Sequence, residues 1–81
     1  MPLDIPIYFT RHARNRMRWH GISEADVKLC LANSEQAKTG SLGKINAWRK
    51  FGDRFLRVTY RRESKRLVII TAVMKRRLSG N

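Results

Sequence analysis

The stretch Leu67–Val73, L-V-I-I-T-A-V, has Thr71 as its one polar side chain. Successive strand residues point to opposite faces, so this run is apolar on both sides. In a chain of 81 residues such a strand belongs inside a sheet, with cover on both faces. Helices can cover one face. An N-terminal arm or another molecule has to cover part of the other. Thr71 can satisfy its hydroxyl locally.

A period of two begins at Lys44. Lys44–Phe51, Arg54–Arg61 and Arg66–Met74 read as three strands, with turns at Gly52-Asp53 and Arg62–Lys65. Short turns between consecutive strands imply an antiparallel meander. A two-residue turn at Gly52-Asp53 sets Ile45, Ala47 and Arg49 on one face with Tyr60, Val58 and Leu56. The other face sets Trp48 across from Arg57, Asn46 across from Thr59, and Lys44 across from Arg61. The first face is mostly apolar and suited to pack on helices, with Arg49 as its misfit. The second is basic with an aromatic in its middle. Trp48 and Arg57 there read as a cation–π pair, as a surface on which a base stacks, or as a solvated face kept from aggregation by its charges.

Thr10 to Asn33 reads as two helices, about 11–20 and 24–32, joined by a tight corner. Thr10 is an N-cap, and Gly21 supplies the left-handed residue that closes the first helix. Ser23 is a second N-cap with Asp26 at the capping-box position, flanked by Ile22 and Val27 as a hydrophobic staple. Ala13 and Met17 form a narrow apolar stripe on the first helix, while Arg11, Arg14, Asn15 and Arg18 face away. His12, Arg16 and Trp19 share one flank, where they suit either a phosphate and a base or plain solvent. Val27 and Leu31 form the second helix's buried stripe, with Cys30 or Leu29 beside it, and Asn33 is its C-cap.

Residues 1–9, with Pro2 and Pro6, favour a short edge strand or an extended arm. Residues 34–43 read as a short edge strand running into a Gly-containing loop. The string G-S-L-G-K lacks the spacing of a phosphate loop and the Ser or Thr after Lys44, and is discarded as one. The tail K-R-R-L-S-G-N reads as a solvated basic end. No repeat or boundary divides the chain, so residues 1–81 are read as one α+β domain: two N-terminal helices on one face of an antiparallel sheet of three to four strands.

Eighteen Lys and Arg stand against six Asp and Glu, a net charge of +12. Such a chain seeks polyanions: nucleic acid first, an acidic protein second, an anionic membrane surface a distant third. Cys30 is the sole cysteine, which excludes an intrachain disulfide and fits a reducing compartment; among apolar neighbours it reads as a buried thiol. His12 and His20 with Cys30 have no metal-ligand spacing, so neither metal nor cofactor is expected. The N-terminus lacks the pattern of a signal peptide and no apolar run is long enough to span a bilayer, so a cytoplasmic protein is expected.

The strings F-T-R-H-A-R-N-R-M-R-W-H-G-I-S-E-A-D-V, F-G-D-R-F-L-R-V-T-Y and L-V-I-I-T-A resemble a family of small bacterial domains of unknown function. That family looks like a distant branch of the RelE/ParE-type toxins, in the barnase–EndoU–colicin–RelE ribonuclease group. His12, Arg16, Gly21, Ile22 and Ser23 match its helical motif, Leu56, Val58 and Tyr60 its sheet motif, and Thr71 its last-strand threonine. Two departures are His20, where the family usually has arginine, and the lack of an aromatic after Thr71.

The resemblance implies a RelE/ParE-like fold and a metal-independent endoribonuclease, the toxin of a toxin–antitoxin pair, held in check by a small acidic protein. Such cleavage needs a base for the 2′-OH, an acid for the leaving oxygen, and cations on the phosphate. His12 suits acid–base work, because imidazole titrates near neutral pH. Arg16 and Arg57 suit a phosphate clamp, with Tyr60 and Thr71 as hydrogen-bond donors. Arg11, Lys44, Trp48, Arg57 and Arg61 are the expected nucleic-acid contacts. The alternative is a non-catalytic basic module that binds nucleic acid or inhibits a protein target.

Overall fold

Leu67–Lys75 is the interior strand that its pattern demands, and it holds the first and last parts of the chain together. The computed structural model describes residues 6–76. The element order is β1 (Ile7–Phe9), α1 (Arg11–His20), α2 (Glu24–Ala32), β2 (Gln36–Thr39), a 3-10 turn at Ser41–Gly43, β3 (Lys44–Phe51), β4 (Arg54–Arg62) and β5 (Leu67–Lys75). The expectations for residues 1–5 of the arm and 77–81 of the tail lie outside the described residues.

The strands form one five-stranded sheet in the order β1-β5-β4-β3-β2. This corrects the expected antiparallel sheet of three to four strands. Both candidate edge strands do join the sheet, and β1 pairs with β5 in parallel, Ile7 beside Leu67 and Phe9 beside Ile69. The sequence concealed this because three residues carry no usable period, and edge strands do not announce which edge they take. The other pairings are antiparallel. The β3–β4 register is the expected one, Lys44 opposite Arg61 through Phe51 opposite Arg54. Gly52, with φ 65°, stands first in the two-residue turn, where a type II′ hairpin takes glycine.

Arg49 fits this register after all. Its Nη1 donates to the Asn33 carbonyl at 2.9 Å, at the C-terminal end of α2, and its guanidinium lies 5.9 Å from the Phe51 ring centroid. The cation thus satisfies a free carbonyl where the helix dipole is negative.

The helix pair forms for local reasons. Thr10 Oγ1 accepts from Ala13 N at 3.0 Å. Gly21, at φ 69°, lets Ile22 N reach Met17 O at 2.8 Å. Ser23 and Asp26 complete a reciprocal capping box. Ile22 and Val27 are both buried, so Ile22 closes α1 and staples α2.

Both helices lie on one face of the sheet. Ala13 and Met17 of α1, with Ile22, Val27 and Cys30, pack on Phe9, Ala47, Leu56, Val58, Ile69 and Ala72. Cys30 rather than Leu29 fills the α2 stripe; Leu29 is exposed. No helix among the described residues is long and apolar enough to cross a membrane.

Thr10 is also the latch between α1 and β5. Its N–H donates to Ile69 O at 3.2 Å, and its hydroxyl donates to Ile70 O at 3.2 Å. Ile70 is the extra residue of a bulge, since Thr59 pairs with Thr71 while Tyr60 pairs with Ile69. Thr10→Ala removes the cap and one strand hydrogen bond together. We expect a loss of about 1–2 kcal/mol, read as a lower denaturation midpoint at unchanged m-value.

Candidate nucleic-acid interface

The acidic residues define the site by where they are missing. No Asp or Glu lies on α1 or on any of β1–β5. Four of them have defined structural partners. Glu24 bonds Arg14 at 2.9 Å, and Asp26 closes the capping box. Glu35 accepts from Lys50 N at 3.0 Å, and Glu63 in the β4–β5 turn takes both Arg61 and Arg66. Those two arginines hold the Glu63 carboxyl below its usual range, Arg66 first and then Arg61, through side-chain hydrogen bonds. The remaining cations on the helices and strands have no carboxylate partner among the described residues.

The outer face of the sheet, away from the helices, carries Lys38, Lys44, Lys50, Arg57, Arg61 and Lys75 by strand alternation. At its centre Thr59 Oγ1 donates to Asn46 Oδ1 at 2.6 Å, and the Arg57 guanidinium lies 5.7 Å from the Trp48 ring centroid. Trp48 is only 2% exposed, so its ring is out of a base's reach. This corrects the reading of Trp48 as a stacking surface. Its partner Arg57 is half-buried, and Arg57 Nε is a buried donor without an acceptor, the only such side-chain atom among the described residues. An unpaired buried N–H costs about 1–3 kcal/mol, so hydrogen bonding does not explain why arginine stands there.

The second basic surface is the exposed side of α1. Arg11, His12, Asn15, Arg16, Arg18 and Trp19 all face solvent there, with Trp19 80% exposed. Arg14 alone is engaged, by Glu24 and by the Phe9 ring at 5.1 Å.

The expected catalytic residues do not meet at one point. His12 and Arg16 stand one turn apart on the outside of the helix layer. Arg57 and Thr71 belong to the opposite face of the sheet, and Thr71 is half-buried beside Thr59. Tyr60 points inward as its register requires, half-buried against the core between Ile45 and Ile69. The sheet therefore separates His12 and Arg16 from Arg57 and Thr71, and Arg11 from Lys44, Arg57 and Arg61. Strand alternation alone sets Tyr60 and Arg57 on opposite faces, which already argues against placing both in one site. No three His, Cys, Asp or Glu side chains gather at one point among the described residues.

Residues 9–74 match the model of the family described as Domain of unknown function (DUF4258). The chain belongs to that family. The DUF4258 match begins at Phe9 and ends at Met74, so it takes in both helices, the hairpin and nearly all of the interior strand. No curated protein and no solved structure matches the chain.

Of the further outer-face cations of this DUF4258 domain, Lys50 follows from the expected β3–β4 register by alternation with Lys44 and Trp48. Lys38 is placed only once β2 is known to pair with β3, and Lys75 lies one residue beyond the expected end of the last strand. Trp19 is legible as lying off the Ala13–Met17 stripe, and the structure makes it the accessible aromatic of the pair Trp19 and Trp48.

Proposed function

We propose that this domain is a nucleic-acid-binding module whose phosphate-contacting surface is the outer face of the sheet. One observation carries the reading: α1 and all five strands are free of carboxylates, in a chain of net charge +12. Uncompensated charge spread over a rigid sheet repels itself in the free protein. A polyanion relieves that repulsion and releases its own counterions. Lys38, Lys44 and Lys50 lie on the adjacent strands β2 and β3, along which a phosphate backbone can run.

The test is fluorescence anisotropy at several salt concentrations. The combined variant Lys38→Glu, Lys44→Glu, Lys50→Glu should bind RNA and DNA more weakly. Its log–log salt slope should be shallower by roughly one unit for each phosphate that the protein no longer neutralises. Lys28→Glu, on α2, serves as a control and should change little. Wild-type affinity and slope in the triple variant would refute the outer face as the binding surface.

A second reading, metal-independent RNA cleavage by a RelE/ParE-type toxin, is favoured by one feature. His12 and Arg16 are both exposed on neighbouring turns of α1. There His12 can take the 2′-OH proton as the 2′-oxygen bonds to phosphorus while Arg16 holds the phosphate; the P–O5′ bond breaks and the departing 5′-oxygen is protonated by solvent. A small acidic protein would neutralise the domain by covering the same cations. His12→Ala should then abolish cleavage of a mixed RNA pool in chelator-containing buffer without lowering the melting temperature. A wild type that leaves the pool intact removes this reading and leaves the binding module.

A further inference from the structure

We infer that Trp19 is a stacking platform for an unpaired base, which makes single-stranded nucleic acid the preferred ligand of this domain. The inference rests on the reading that this domain binds nucleic acid, and it adds a second contact with a strand preference of its own, on the helix side of the sheet rather than on its outer face.

The aromatic rings of this protein are mostly occupied. Arginine guanidinium groups lie over Phe9, Phe51, Trp48 and Tyr8, at 5.1, 5.9, 5.7 and 5.0 Å from the ring centroids. Trp19 is more exposed than any of these, at 80%, and no cation among the described residues sits over its ring. The arginines that could cover it are close by on the same helix. Its indole is thus largely exposed and bare of any described cation, in a protein that covers its other indole with arginine.

Exposing an indole on a short, well-capped helix gives up burial that would stabilise the fold, and it creates a sticky surface. Its surroundings select the occupant. Asn15 and Arg16 lie one turn before Trp19 on the same helix, with His12 a further turn back. Arg11, Arg16 and Arg18 lack carboxylate partners among the described residues. A flat apolar surface amid such cations matches a base joined to phosphates. It repels a second copy of a chain of net charge +12. In a duplex the base faces are already stacked inside the helix except at its two ends, so a surface indole finds its stacking partners mainly among unpaired bases.

The experiment compares wild type, Trp19→Phe and Trp19→Ala with a short oligouridylate, an oligothymidylate, a duplex of equal length and polyglutamate. Intrinsic fluorescence and anisotropy are read together. Oligouridylate and oligothymidylate should both quench the wild-type emission that Trp19→Phe lacks. Trp19→Ala should bind either single strand about tenfold more weakly and the duplex equally well, with Trp19→Phe in between. Equal single-strand affinity in wild type and Trp19→Ala overturns the inference, while salt-sensitive binding to the outer face would still stand. Quenching by polyglutamate as strong as by oligouridylate also overturns it, in favour of an acidic protein. So does a concentration-dependent dimer in sedimentation that Trp19→Ala abolishes. Absence of any salt-sensitive nucleic-acid binding by the wild type removes both the outer-face reading and this one.

Discussion

Trp48→Ala is expected to destabilise the domain by about 3–5 kcal/mol, the usual loss for a large aromatic truncated in a packed site. For a chain of this size each kcal/mol lowers the melting temperature by roughly 4–8 °C. The variant should therefore be largely unfolded near physiological temperature. The cause is packing: Trp48 is 2% exposed and Arg57 lies over its ring. Removing the indole leaves a cavity and strips the guanidinium of its aromatic partner. Trp48→Phe should recover much of the loss. Trp19→Ala, at an 80% exposed position, should leave the melting temperature within a few degrees of wild type. Thermal denaturation of the three variants checks this. A Trp48→Ala protein as stable as wild type would show that the indole does not support the fold.

The second large effect is chemical. Burial pushes the Cys30 thiol up from 9.0 to about 11, with Arg49 opposing the shift and Glu35 adding to it. Thiolate is the reactive form, so at neutral pH folded Cys30 should carry about a hundredfold less of it than the unfolded chain. Its Sγ is also closed in, 3.6 Å from Ala47 O and 3.9 Å from Leu56 O. Reaction with an aromatic disulfide reagent should be more than a hundredfold slower in buffer than in denaturant. The linked stability has a definite sign. A folded-state pKa above the unfolded value contributes stability below the unfolded pKa, and that contribution is lost as pH rises through the folded one. The loss should therefore fall between about pH 9 and 11, and Cys30→Ala should flatten the curve there. Rapid modification of the folded protein at neutral pH would contradict the buried placement.

Much of this architecture is legible in the sequence because its signals are local. Thr10, Gly21, Ser23 and Asp26 each act within a few residues of their own position, and they set both helices at the boundaries expected. Gly52-Asp53 fixes the β3–β4 register from two residues. The apolar run after Arg66 places β5 inside the sheet. The parallel pairing of β1 is hidden, since its partner lies at the far end of the sequence and three residues show no period. The candidate site is harder to read. Arg49 is a misfit on its face until the Asn33 carbonyl is found above it. Trp48 reads as available because alternation gives the face of a side chain but not what lies over it. The catalytic grouping joins residues by chemistry alone, and the sheet lies between His12 and Arg16 on one side and Arg57 and Thr71 on the other.

The hydrogen bond between Thr10 and Ile70, 60 residues apart, orders events during synthesis. A chain leaves the ribosome from its N-terminus, so α1 and α2 emerge long before the strand they rest on. Their caps favour helix, but helices this short are marginal in water without tertiary packing. Until Leu67–Lys75 is made, Ala13 and Met17 lack the strand that α1 packs against, and Ile7–Phe9 has no neighbour to pair with. Folding of this domain is therefore a late and collective event, and a stalled or shortened nascent chain presents its core residues to proteases and chaperones as an open, strongly basic polymer.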